Sequence, residues 1–179
     1  MASIIDTTYF RNDISIPDSD YSTLQLFIDK FEPIILTKLL GYTLYKAMLA
    51  APSEQRFDRL INGYEYSTGT GDSLRYIKWN GFANSELISV IAYYVYYYYL
   101  RDKASINTTS GIAVALLENA TIDNSQLKPF AAWNKLRELY GYCGQDILKP
   151  SCSNFLSEHV GDYPEWDFED IGSVNSFDL

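Results

Sequence analysis

The chain has 179 residues, 47% hydrophobic and 21% charged, with a formal net charge of −9. That length suits one domain with a buried core, and those proportions exclude wholesale disorder. Fourteen Lys and Arg against 23 Asp and Glu argue against a basic nucleic-acid-binding surface, two cysteines rule out a disulfide-built scaffold, and one histidine largely excludes histidine-rich metal and acid–base sites.

Pro17-Asp-Ser-Asp20 is a turn offering Ser19 or Asp20 as a helix N-cap, and Leu24, Phe27, Ile28 and Phe31 follow at helical spacing. Pro33 is expected to interrupt, Ile34–Leu40 to resume, and Gly41 to close that piece before a short helix over Tyr42–Ala50. Pro52-Ser53-Glu54 starts another helix through Phe57, Leu60 and Ile61, stopped at Asn62-Gly63. From Tyr64 to Trp79 the period changes. Tyr64–Tyr66 and Leu74–Trp79 suit short strands around the Ser67–Asp72 loop, a small β-hairpin.

Ser85 is placed to cap the longest helix, Glu86–Lys103, with Leu87, Ile91, Tyr94, Val95 and Tyr98 on one stripe. Six tyrosines fall within positions 93–99, and a helix apolar nearly all round is usually buried on several sides. Beyond a polar loop, Gly111–Asn119 suits a helix or a strand, with Ala and Leu content favouring a short helix. Asn124 or Ser125 then caps a helix with Leu127, Phe130, Ala131, Trp133, Leu136, Leu139 and Tyr140 inward and Pro129 near its start. A last short helix is expected near Phe155-Leu156. The sum is a mainly α chain, a bundle of about five to seven helices over residues 1–159 with the 64–79 hairpin inserted, and an extended C-terminal arm, 160–179.

The searched-for chemistry is missing. No P-loop pattern occurs, and Gly69-Thr-Gly71-Asp-Ser-Leu74 lacks the third glycine and the strand-to-helix setting of a dinucleotide fingerprint. A Cys143 or Cys152 nucleophile would need His159 as its base, in a segment expected to be floppy. Zinc and EF-hand spacings are absent, so neither a catalytic site nor a cofactor or metal site is expected. The start lacks a signal peptide's basic and apolar regions, and Leu87–Leu100 is too short to span a bilayer. The sequons at Asn107 and Asn119 read as chance matches in a chain made and kept inside a cell, its cysteines reduced.

Charge is segregated. All 14 basic residues precede position 150, whereas residues 150–179 hold seven carboxylates and no Lys or Arg, interleaved with Tyr163, Trp166, Phe168 and Phe177. Such a tail either packs loosely on its own domain or docks its rings on a neighbour. Sixteen tyrosines exceed ordinary usage, and a single core of this size is not expected to absorb Tyr93–Tyr99 with three Trp and nine Phe. The expectation is therefore an interface at Tyr64, Tyr66, Trp79, Tyr96, Tyr97, Tyr163, Trp166 and Phe168. A soluble, monomeric helical adaptor or regulatory module is the competing reading.

The order of Leu39-Leu-Gly-Tyr42-Thr-Leu-Tyr-Lys46, Tyr96-Tyr-Tyr-Tyr-Leu-Arg-Asp102, Thr108-Thr-Ser-Gly111, Ala132-Trp-Asn134 and Tyr163-Pro-x-Trp166 resembles the head–tail connector (adaptor, head-completion) proteins of tailed bacteriophages and prophages, especially larger versions from Bacteroides-type hosts. The resemblance covers most of residues 20–170, with the Tyr64–Trp79 hairpin looking like an insertion. It implies a non-enzymatic virion protein of the neck, made in the host cytoplasm. Its protomers form a ring, commonly of twelve, beneath the portal protein, docking tail components or a second connector. DNA passes through without specific binding, and an acidic wall suits that passage. No membrane and no cofactor are implied.

Overall fold

A 30-residue run, α1 (Tyr21–Ala50), forms the spine, burying Leu24, Ile28, Ile35, Leu36, Leu39, Leu40, Leu44 and Met48 at spacings of three and four. The structure, a computed structural model, describes residues 3–108, 111–114, 127–141, 149–167, 169 and 171–172; residues 104–108, 111–114 and 127 are described through their backbone alone. Pro33 does not interrupt α1. It is exposed, and the carbonyl freed by its missing N–H belongs to the exposed Asp29. Gly41 is the real break, at φ 75° and ψ 157°. A helix end leaves its last carbonyls without helical partners, and that of Leu39 accepts instead from the Tyr140 hydroxyl at 3.4 Å and Trp166 Nε1 at 3.0 Å. A Cβ at position 41 would meet nothing within 4 Å, so only the left-handed backbone requires glycine there. Gly41→Ala is expected to cost about 1–3 kcal/mol, read from the midpoint of urea unfolding.

After the kink, α2 (Gln55–Asn62) buries Phe57 and Leu60 and ends at Gly63. β1 (Tyr64–Thr68) and β2 (Arg75–Trp79) then form the expected hairpin, antiparallel with Tyr64 opposite Trp79 and Tyr66 opposite Ile77. Period two puts Tyr66, Ile77 and Trp79 inward and Glu65, Ser67, Tyr76 and Lys78 outward. The long tyrosine helix, α3 (Val90–Ala104), starts four residues later than expected, because Leu87 takes a left-handed φ of 57°. Ser89, rather than Ser85, supplies the first-turn acceptor, its Oγ taking the Ile91 N–H at 3.3 Å.

Beyond α3, β3 (Ser105–Thr108) pairs antiparallel with β4 (Gly111–Val114), Ser105 opposite Val114 and Thr108 opposite Gly111. The helix favoured for Gly111–Asn119 is thus corrected over 111–114, where Ile112 and Val114 suit a strand; residues 115–119, and the capping candidates Asn124 and Ser125, lie outside the described residues. α4 (Leu127–Tyr140) packs along α3 and buries Ala132, Trp133, Leu136 and Tyr140, with Ala131 exposed. α5 (Cys152–Glu158) is capped by Ser151, whose Oγ accepts from the Asn154 N–H. The fold is mainly helical, as expected, with five helices and two small antiparallel sheets among the described residues. None of those helices alone is long and apolar enough to cross a membrane.

The segment before α1 is part of the core. Through two single 3-10 turns it buries Ile5, Tyr9, Phe10, Ile14 and Ile16. The buried Glu32 carboxylate holds it, accepting the Ile4 N–H at 2.9 and 3.0 Å and the Ile5 N–H at 3.2 Å. Burial pushes Glu32 above its ordinary value of 4.5, against the downward pull of those two donors. The folded chain therefore holds this proton more tightly than the unfolded chain. The charged form costs stability above the raised value, and the cost disappears as pH falls through it toward 4.5. In unfolding titrations the native protein is expected to gain on Glu32→Gln across that window, with a constant difference at higher pH.

Candidate interaction surface

The residues expected at an interface fall into two aromatic clusters, both inside the protein. The first centres on Phe155 of α5. Its ring lies 6.1 Å from Trp79, 5.8 Å from Tyr66, 6.3 Å from Tyr64, 4.6 Å from His159 and 5.8 Å from Tyr163. Trp79 donates its Nε1–H to the Leu60 carbonyl at 3.1 Å, and the Tyr163 hydroxyl donates to that of Arg56. Tyr66, Trp79 and Tyr163 are buried, whereas Tyr64 is half-buried. Burial, with the Glu158 charge adding to it, pushes the Tyr66 phenol up to about 12.

The second cluster is α3 itself. Tyr93, Tyr94, Tyr96, Tyr97 and Tyr99 are all buried, and Tyr98 is half-buried. Tyr97 and Tyr94 lie 4.7 and 6.2 Å from Trp133 of α4, and Phe31 of α1 stacks on Tyr98 at 4.5 Å. Two phenols that would otherwise face out are taken by carboxylates before α1: Tyr93 donates to Asp13 at 2.7 Å and Tyr99 to Asp20. Burial and these partners push both phenols up, so they stay neutral hydrogen-bond donors.

The interface expectation is therefore corrected for Tyr66, Trp79, Tyr96, Tyr97 and Tyr163. One chain does absorb its rings, because α1 and α4 pack against α3 and the N-terminal segment reaches it through Asp13 and Asp20. The C-terminal arm is corrected in its first part too. Residues around Tyr163 and Trp166 belong to the body, tied by Arg56 to Glu165 at 3.1 Å and Arg59 to Asp162 at 3.7 Å. Trp166 is half-buried, and the Gly172 carbonyl accepts from Trp133 Nε1 at 3.1 Å. Phe168 lies outside the described residues. The hairpin does present a ring to solvent, but it is that of Tyr76, 84% exposed on the outer face.

Cys152 is fully buried and its thiol is pushed up by desolvation, so it is neither accessible nor ionised. His159 turns Nδ1 toward the Phe155 carbonyl at 2.8 Å, a distance at which the ring N–H donates. Cys143 lies outside the described residues. Among those described, no three His, Cys, Asp or Glu side chains gather as a metal would require.

A model of a family of unknown function, DUF6712, matches residues 36–176. The chain belongs to DUF6712. No curated protein and no solved structure matches it. The DUF6712 span begins within α1, just before the Gly41 kink, and takes in both hairpins, the Phe155 cluster and α3. The N-terminal segment whose Asp13 and Asp20 accept from the tyrosines precedes it. That segment's role went unread in the sequence, although Ile4-Ile5, Tyr9-Phe10, Ile14 and Ile16 give it the apolar content of core.

Proposed function

We propose that this DUF6712 protein is a structural, non-catalytic component of a phage neck, a protomer that joins others in a ring beneath the portal and offers a surface to tail components. The observation that carries the reading is β3–β4. This ribbon continues directly from α3 and forms a two-stranded sheet of its own among the described residues. A lone two-stranded ribbon is at best marginally stable in water. A second sheet edge or a neighbouring helix would complete it, which is the arrangement of an arm reaching between protomers. The resemblance of the Leu39–Lys46, Tyr96–Asp102 and Tyr163–Trp166 stretches to connector proteins supports the same reading, as does the acidic net charge.

The test is to mix the purified chain with portal rings from the same genome and follow co-sedimentation. The native chain is expected to join the portal as a ring. A variant with residues 105–114 replaced by a short Gly-Ser linker is expected to stay folded and fail to close one. Ring formation by the linker variant, or no association of the native chain with the portal, would overturn the reading. Truncation for such work belongs after Gly172, since Trp166 and Tyr163 are part of the body.

A monomeric helical binding module is favoured by one observation, the closure of the aromatic core within a single chain. A light-scattering mass of one chain in the presence of portal would decide for it.

A further inference from the structure

Every fourth residue along α1 reads Leu26, Lys30, Ile34, Lys38, Tyr42, Lys46. All six are exposed, Leu26 by 68%, Ile34 by 40% and Tyr42 by 66%. Four-residue spacing advances each successive side chain by about 40° around the helix, so four of them span a face of about 120°. The first four share the helix before Gly41 and form the ridge; Tyr42 and Lys46 lie beyond its non-helical break. Lys30 lies over the Phe31 ring at 4.9 Å and Lys46 over the Tyr42 ring at 5.6 Å. Among the described residues, none of the three ammonium groups has a carboxylate within ion-pairing distance. Exposed apolar side chains scattered singly are ordinary; here they alternate with lysines that have no carboxylate partner among the described residues, an apolar and cationic surface together.

The complementary character lies elsewhere on the same molecule. Between positions 158 and 169, Glu158, Asp162, Asp167 and Glu169 are exposed, with Val160 59% exposed among them. No Lys or Arg occurs from position 150 onward. We propose that the α1 ridge is the seat for the 158–169 strip of a second copy of this chain. A chain's own strip is tied to its body by the Tyr163–Arg56 and Trp166–Leu39 hydrogen bonds, and among the described residues none of its carboxylates pairs with Lys30, Lys38 or Lys46. Alternating cations and apolar side chains on one surface meet carboxylates and a valine on the other. Such charge matching sets register and excludes wrong partners. The two patches differ, so the contact is head-to-tail, and repetition closes a ring where the rotation permits. The inference rests on the self-association in the neck reading and needs no portal.

Sedimentation velocity on the purified full chain tests it. Self-association is expected at low salt, and Lys30→Glu with Lys38→Glu is expected to raise the dissociation constant about a hundredfold. Asp167→Lys with Glu169→Lys is expected to do the same. Mixing the two variants is expected to restore association, because each then offers the surface the other lacks; restoration also shows that both variants fold. A chain that stays monomeric at low salt, reversals that leave association unchanged, or a mixture that stays dissociated would overturn the proposal. So would a ridge whose reversal abolishes binding to anionic vesicles and leaves self-association intact. A chain that associates as expected but ignores the portal would sink the neck reading alone.

Discussion

Phe155→Ala is expected to lower the unfolding free energy by about 3–5 kcal/mol, the usual cost of emptying a fully buried aromatic site. Phe155 is completely buried, and the rings of Tyr64, Tyr66, Trp79, His159 and Tyr163 meet on it. Those rings come from both strands of the first hairpin and from the chain beyond α5. The cavity cannot collapse easily, because Trp79 and Tyr163 are tethered by hydrogen bonds to the Leu60 and Arg56 carbonyls. Urea unfolding followed by far-ultraviolet circular dichroism measures the loss, and tryptophan emission is expected to shift to the red as Trp79 gains water. Tyr76→Ala on the exposed face of the same hairpin is the control, with a change within about 0.5 kcal/mol.

That contrast shows where the sequence was readable. The first hairpin was legible because alternation flanks a run of Ser, Thr, Gly and Asp, a local signal. Which of its rings faces solvent follows from the docking of α5 and the 159–166 segment about ninety positions away, and no local pattern reports that. The tyrosine helix is buried on several sides, as its nearly all-round apolar character implies. The inference that a partner must cover it failed because Asp13 and Asp20, which take two of its hydroxyls, are 80 and 79 positions distant. A phenol whose acceptor comes from a distant part of its own chain is core material, and composition does not distinguish it from one that needs a partner.

Pro33 and Gly41 make the same point within one helix. Propensity marks both as breaks. The chain bends at Gly41, where Tyr140 and Trp166 converge to occupy the Leu39 carbonyl that the break releases, and it runs through Pro33, where solvent suffices. Local breakers propose kinks, and tertiary hydrogen bonds select among them. The Lys and apolar alternation on α1 was the reverse case, fully visible at four-residue spacing.

Gly81→Ala is expected to cost about 3 kcal/mol or more, although it adds a single methyl group. A Cβ at position 81 would stand 2.4 Å from the Ile61 carbonyl oxygen, 2.5 Å from Gly63 N and 2.7 Å from the Asn62 carbonyl carbon. Those atoms are backbone, so no side chain can swing aside. Gly81 also holds a φ of 85°, which alone costs a non-glycine residue about 1–2 kcal/mol. Gly63 faces it across the same seam, its own Cβ position 2.6 Å from the Trp79 carbonyl oxygen. Two glycines thus let the end of α2 and the exit of the hairpin lie backbone against backbone, joined by Ala83 N–H to Ile61 at 2.7 Å and Phe82 N–H to Leu60 at 3.4 Å. A methyl group that forces the seam apart lengthens both bonds, and each buried hydrogen bond lost adds about 1 kcal/mol. The seam also fixes the Leu60 carbonyl that receives Trp79 Nε1, so the hairpin is expected to loosen with it. Hydrogen exchange at the Phe82 and Ala83 amides should accelerate by more than global destabilisation explains. Gly161→Ala, with nothing within 4 Å of its Cβ, should leave both stability and exchange unchanged.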